Sequence, residues 1–165
     1  MRVRALAQSA LLSAVALTIF VLEAQIPLPL PVPGLKLGLC NIVTLFALCR
    51  LGRGWSLAIV LTRIVLGNLA VGQGMAMLYA LAGGLLSFCV MALIFRRLGQ
   101  DLLWVTGAFG GIAHNLGQMA VAVLVTSTPG LLAYLPVLLL CGILTGAFTG
   151  LCARLLCERL PNTMK

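Results

Sequence analysis

Acidic side chains are almost missing from this chain of 165 residues: Glu23, Asp101 and Glu158 are the only three, against eleven Lys and Arg. Magnesium-dependent diphosphate chemistry uses several carboxylates to hold metal against phosphates, and three acids far apart in the topology do not supply them. There is no G-x-x-x-x-G-K-[ST] loop, so the chain is not expected to hydrolyse ATP itself. No nucleophile stands beside a base in an evident site. A single histidine without nearby carboxylates is a poor basis for a metal centre. Six cysteines (Cys40, Cys49, Cys89, Cys141, Cys152 and Cys157) include no C-x-x-C pair, and most lie in apolar runs where a thiol packs as a small hydrophobe. Catalysis, a resident metal and a cofactor are therefore not expected.

Charge as a whole is also scarce, at 8% of residues against about 25% in soluble domains, while 62% are hydrophobic. This is the composition of an integral membrane protein. The net charge of +8 does not indicate nucleic acid, because the basic residues are scattered in pairs with no basic face and no interleaved aromatics. Arg2 and Arg4 precede an apolar run, but Glu23 and a proline series follow it without a small-x-small site, so a cleavable signal peptide is not expected.

Six apolar segments can be drawn, at approximately 5–24, 37–51, 55–71, 75–95, 102–125 and 131–157. A spanning helix needs about 20 apolar residues, so the second is short and the third marginal. Nine of the eleven basic residues fall in alternate connections and at the two termini; only Lys36 and Arg63 do not. By the positive-inside rule this predicts an all-α, multi-pass bundle of six transmembrane helices. It forms one membrane domain over 1–165, in a bacterial cytoplasmic membrane, with both termini cytoplasmic.

The first outer connection, from Ile26 to Gly34, has proline at every second position, which precludes a helix and favours a stiff extended strand of chain. It is expected either to cap the outer mouth or to serve as an interfacial linker. Small residues recur at four-residue spacing in Gly142-x-x-x-Gly146-x-x-x-Gly150, where they would allow backbones to approach, and in Ala10-x-x-x-Ala14, which suits a partner subunit equally well.

Within this apolar background, Arg63 stands in the middle of the third segment. A charge at that depth costs at least about 2.5–3.5 kcal/mol, so it normally faces a cavity, a partner or a substrate. At about 1.5 Å per residue, Arg63 lies about 12 Å and Asn68 about 20 Å from Trp55, while His114 and Gln118 lie about 18 and 24 Å from Leu102. Asn115 is beside His114, and Asn41 and Thr44 enter from the outer side. His114 and Gln118 share a helix face as an i,i+4 pair. These residues, with Lys36 as part of the roof, predict a substrate-binding cavity in the outer half of the membrane. Arg63 offers a planar fork suited to carboxylate or phosphate, and His114 a proton-dependent donor. The alternative is structural: Arg63 paired with Glu23 or with helix-end carbonyls, and His114 with Gln118 as interhelical glue.

The stretches PVPGLKLGLCNIVTLFAL, Arg63-x-x-x-Gly67, YALAGGLLSFCVMAL and GGIAHNLGQM resemble the small membrane family called Gx transporters, also labelled heptaprenyl diphosphate synthase component I. The resemblance runs from the first segment to Gly150. That family is similar to the substrate-binding S components of energy-coupling factor vitamin transporters. The resemblance implies six helices, an outward-side pocket, a capping first loop and an alanine ridge, here Ala10 and Ala14, against an energising transmembrane subunit with an ATPase. The family label implies instead association with prenyl diphosphate (isoprenoid) synthesis, although the two aspartate-rich motifs of prenyl synthases are missing here. A further resemblance, to membrane components of flavin- and quinone-linked extracellular electron transfer, implies a prenyl synthase or redox partner. The sequence thus points to capture of a small anionic, vitamin-like or quinone-like molecule by a transport subunit, with a non-catalytic accessory role as the alternative.

Overall fold

The computed structural model describes residues 2–26, 36–72 and 74–160, and among these it is helical with no strand. The helices are α1 (Arg2–Glu23), α2 (Asn41–Arg50), α3 (Arg53–Val71), α4 (Gly74–Leu98), α5 (Leu103–Thr126) and α6 (Leu135–Arg159), with a 3-10 turn over Pro129–Tyr134 before α6. Local chemistry sets several of these ends. Gly72 takes the left-handed conformation that closes α3, its N–H donating to the carbonyls of Asn68 and Leu69. Proline in the first turn, where no donor is needed, opens α6.

Five helices are long and apolar enough to cross a membrane, and α2 is not among them. Of the six segments expected to span, all form helices and five have the length to cross. Ten residues reach about 15 Å, half of the ~30 Å hydrocarbon layer. The segment expected as helix from Leu37 is shortened because Leu37–Cys40 form a turn, with Gly38 at φ +83°. The proline-rich connection expected to cap the bundle falls on 27–35, outside the described residues.

The short helix is the centre of the architecture. α2 packs against all five other helices, while α1, α3, α4, α5 and α6 follow one another around it, and α1 and α6 do not touch. From Asn41 to Leu48, every α2 residue except Ile42 is buried. Its carboxyl end is tied to that of α6, where Arg50 Nη2 donates to the carbonyls of Cys157 and Leu160 at 2.6 Å each. α1 and α3 run parallel, since Phe20 packs on Gly67 towards their ends while Leu6 and Trp55 share a groove near their starts, and α5 runs against both α4 and α6. The starts of α1, α3 and α5 therefore gather with the ends of α2, α4 and α6, so Arg4, Arg50, Arg53, Arg96, Arg97, Arg154 and Arg159 all stand at one end of the bundle.

Burial is inverted relative to a water-soluble protein. Large apolar side chains such as Leu11, Leu93, Phe109, Leu124 and Phe148 face outward, while Thr44, Ser56, Ser87, Thr106 and Thr149 are buried. Outward apolar side chains match a hydrocarbon solvent, and the hydroxyls of Ser56, Ser87, Thr106 and Thr149 donate to backbone carbonyls within or between helices, while that of Thr44 has no partner. The tightest contact is the α5–α6 seam. A Cβ on Gly107 would meet the Gly146 carbonyl, one on Gly111 the Gly142 carbonyl, and one on Gly150 the Leu103 carbonyl. Gly142, Gly146 and Gly150 thus serve internal packing.

Candidate functional site

The turn that starts α2 lies in the interior, where its backbone N–H groups need acceptors that water does not provide. Glu23, at the end of α1, supplies them. Its Oε1 accepts from the N–H of Gly38 at 2.6 Å and of Leu39 at 3.3 Å, and its Oε2 lies 3.8 Å from Cys40 Sγ. A carboxylate near the positive end of a helix is favourable in charge as well as in hydrogen bonding. Gly38 is needed here twice over. Its positive φ disfavours a side chain, and a Cβ would touch the His114 ring and Asn41 Nδ2.

Around this turn the structure brings together four of the residues expected to bind substrate. Lys36, Arg63, His114 and Gln118 line one small void with Phe20, Glu23, Gly38, Ile64 and Ala80. Lys36 donates its backbone N–H to Gln118 Oε1 at 3.3 Å, and its ammonium stands 3.1 Å from the Phe20 ring centroid. That contact compensates part of the cost of burying the cation. Lys36 lies in the connection between α1 and α2, outside the five spanning helices, and burial lowers its pKa to about 8 despite the opposing pull of Glu23.

Arg63 is only 3% exposed. Its Nη2 donates to Asn41 Oδ1 at 3.3 Å, and its guanidinium lies within reach of the Cys40 thiol. Asn41 in turn donates through Nδ2 to Ser87 Oγ at 3.2 Å, and Ser87 donates to the Gly110 carbonyl at 2.8 Å. Asn41 is thereby held from α3 on one side and α4–α5 on the other. The expected pairing of Arg63 with Glu23 does not form: the single ion pair among the described residues is Arg154–Glu158.

The polarity of the void is one-sided. Lys36 Nζ, Arg63 Nε, Gln118 Nε2 and both ring nitrogens of His114 are buried without a hydrogen-bond partner, so every unpartnered polar atom of the lining is a nitrogen. The His114 ring packs against the Gly83 backbone without reaching hydrogen-bond geometry. The unpartnered oxygens of Thr44, Asn68 and Asn115 belong to residues outside the lining. With Glu23 negative and Lys36 and Arg63 positive, the lining carries one uncompensated positive charge. Its volume is about 10 Å³, space for one water at most.

Two expected site residues stand elsewhere. Asn115 donates to the Leu138 carbonyl at 2.5 Å and so fastens α5 to α6. Asn68 donates to the Ile64 carbonyl of its own helix at 2.8 Å. Ala10 and Ala14 are exposed along a groove of about 470 Å³ between α1 and α3. Two residues that hold the site together were not among those expected to bind: Glu23, whose signal was a lone acid at the end of an apolar run, and Ser87, which nothing in its neighbourhood marks out.

The whole of this site lies within residues 12–156, which match the family model for heptaprenyl diphosphate synthase component I, and the chain belongs to that family. No curated protein and no solved structure matches it.

Proposed function

We propose that the chain is the substrate-binding subunit of a membrane transport system and captures a small anion through Lys36, Arg63, His114 and Gln118. The observation that carries this reading is the void whose unpartnered polar atoms are all nitrogens and whose charge balance is positive. The nitrogens of Lys36, Arg63 and Gln118 are donors only, and a neutral His114 adds one donor and one acceptor. Donors buried without acceptors cost about 1–3 kcal/mol each, and a carboxylate or phosphate would satisfy several at once. Arg63 supplies a planar, permanently charged fork for such a group, and Asn41 orients it.

The void is too small for the ligand as it stands, so capture requires displacement of the turn from Lys36 to Cys40. Side-chain contacts tie that turn to the surrounding helices: Glu23 from α1, Gln118 from α5 and Thr145 from α6, whose Oγ1 donates to the Leu37 carbonyl at 3.3 Å, while Cys40 Sγ reaches the Ala16 carbonyl of α1 at 3.4 Å. The basic end of the bundle is the cytoplasmic end in this reading, with both termini there, in a bacterial cytoplasmic membrane. The turn then lies on the outer side of Arg63, and entry is from outside. No ATP-binding loop is present in the sequence, so energy for transport comes from partner subunits, as in the energy-coupling factor systems whose S components this chain resembles.

The test is unfolding of the purified protein with and without small anions such as butyl phosphate and butyrate. A ligand that binds only the folded state raises stability by RT ln(1 + [L]/Kd). Saturable stabilisation that disappears in Arg63→Gln is expected; equal stabilisation of both proteins would remove Arg63 from the site.

The family description favours a second reading, a membrane component working with a prenyl diphosphate synthase. The resemblance to electron-transfer membrane components adds a quinone- or flavin-linked redox partner to that reading. Native mass spectrometry of protein gently extracted from its own membrane separates the two. An ATPase-bearing module with a retained small molecule supports transport. A soluble synthase or flavoprotein held equally well by Arg63→Gln supports the second reading.

A further inference from the structure

The groove between α1 and α3 has a volume of about 470 Å³, and one residue joins it to the polar void. Leu6, Ser9, Ala10, Ser13, Ala14 and Leu17 form its α1 wall. Trp55, Ala58, Ile59, Thr62, Arg63 and Leu66 form the other. Arg63 alone lines both spaces. The groove begins near the basic end, at Leu6 and Trp55, and reaches Arg63 about 12 Å along α3. Its walls are mostly apolar, interrupted by Arg63 and the hydroxyls of Ser9, Ser13 and Thr62, and Ser9 Oγ already donates to the Leu6 carbonyl at 2.8 Å.

We infer that the ligand of the polar site is a single-chain amphiphile with a phosphate or carboxylate head, whose head meets Arg63 and whose apolar chain lies in the α1–α3 groove toward Trp55. This rests on the anion-binding reading above and gives it a substrate class. From Leu6 to Leu17 the groove runs about 16 Å. Its alanine, leucine and isoleucine walls suit one hydrocarbon chain lying along them. Charge chooses the head, because at the deep end stands a buried guanidinium with an unpartnered Nε, backed by the ammonium of Lys36. The groove opens toward the lipid, between exposed Ala10, Ala14 and Ala58, so the apolar chain can lie against the bilayer while the head reaches Arg63 from the outer side.

Trp55 makes this measurable. The chain has two tryptophans, and Trp104→Phe, at a half-exposed position on α5, leaves Trp55 alone. In phosphatidylcholine nanodiscs, dodecyl phosphate brominated at its far carbons is expected to quench Trp55 saturably, and several-fold more than the same molecule brominated beside the head. Brominated dodecanol and dodecyltrimethylammonium are expected to bind at least tenfold more weakly. Arg63→Gln removes the head-group preference. Ala14→Leu, on the lipid-facing wall, blocks the chain and abolishes quenching while leaving stabilisation by butyl phosphate intact.

Equal quenching by all three heads would make the groove an ordinary lipid contact and overturn the inference. Arg63-dependent stabilisation by butyl phosphate with no quenching by dodecyl phosphate would overturn it while the anion-binding reading stands. Failure of both phosphates would sink both. Quenching that appears only after a co-purified membrane subunit is stripped away would give the groove to that partner instead.

Discussion

The two sides of the bundle are assembled on opposite principles. Where α5 meets α6, glycine faces backbone: Gly107, Gly111, Gly142, Gly146 and Gly150 bring main chains together so closely that no methyl group fits. Where α1 meets α3, a ring does the locking, with Phe20 seated over Gly67, and below it the helices part into the groove. Half of the apolar window of α5 is buried within the protein, but only 17% of that of α1. In lipid no hydrophobic force drives helices together, so close dispersion contact is what makes one side a fixed wall, and its lack leaves the other able to yield. The polar turn at the start of α2 sits between them, held to both.

That contrast can be broken most directly at the seam. Gly146→Leu should cost about 3 kcal/mol or more, since overpacking against backbone has no side chain to move aside. Unfolding in mixed micelles measures it, and a loss under 1 kcal/mol would mean the seam is no tighter than the groove side. The matched change across the molecule, Ala14→Leu, faces open space and should alter the same midpoint by no more than about 0.5 kcal/mol.

Gly38→Ala tests the turn between the two sides. The left-handed backbone costs a non-glycine residue about 1–2 kcal/mol, and contact with the His114 ring adds to it. Loss of the Glu23 cap should accompany the destabilisation, seen as faster hydrogen exchange at Gly38 and Leu39; unchanged exchange would separate the turn from the cap.

Arg63→Met should go the other way. A buried cation without a countercharge is a burden on the fold, so its removal is expected to raise stability by about 1 kcal/mol while abolishing anion binding. A loss of 2 kcal/mol or more would instead make Arg63 a structural bracket for Asn41.

A slope in pH tests the charge beside the turn. The Lys36 ammonium has a pKa of about 8 when folded and near 10.5 when unfolded, so the unfolded chain binds more protons between those values. Stability is therefore expected to rise from pH 8 toward 10.5, while anion affinity falls over the same range as the charge is lost. Lys36→Met should flatten the stability profile; an unchanged slope would assign it to another group.

Much of this molecule could be read from residues in order. The long apolar runs, the basic pairs that converge on one end, the buried Arg63 and the glycine ridge of α6 are all local patterns, and the structure places each where its chemistry demands. Reading failed where partners lie on other helices. Asn115 and His114 are neighbours in sequence, yet one turns to the Leu138 carbonyl of α6 and the other to the void. Asn68 has the depth expected of a ligand but spends its amide on its own helix. Helices apolar on nearly every face carry no stripe to indicate which side turns inward, so rotation about the axis is settled by packing alone.

By itself the sequence determined that the chain is helical and built for lipid, that its charge lies at one end, and that one arginine is carried into the interior. These follow from hydrocarbon thickness and the cost of burying charge, which act on each segment separately. Only the tertiary structure decided that the second segment shrinks to a half-length helix at the centre and that Glu23 caps its first turn. It alone showed that Arg63 touches a polar void on one side and an apolar groove on the other. Those outcomes depend on which backbone groups and helix faces meet across the bundle, and that is a property of the packed chain.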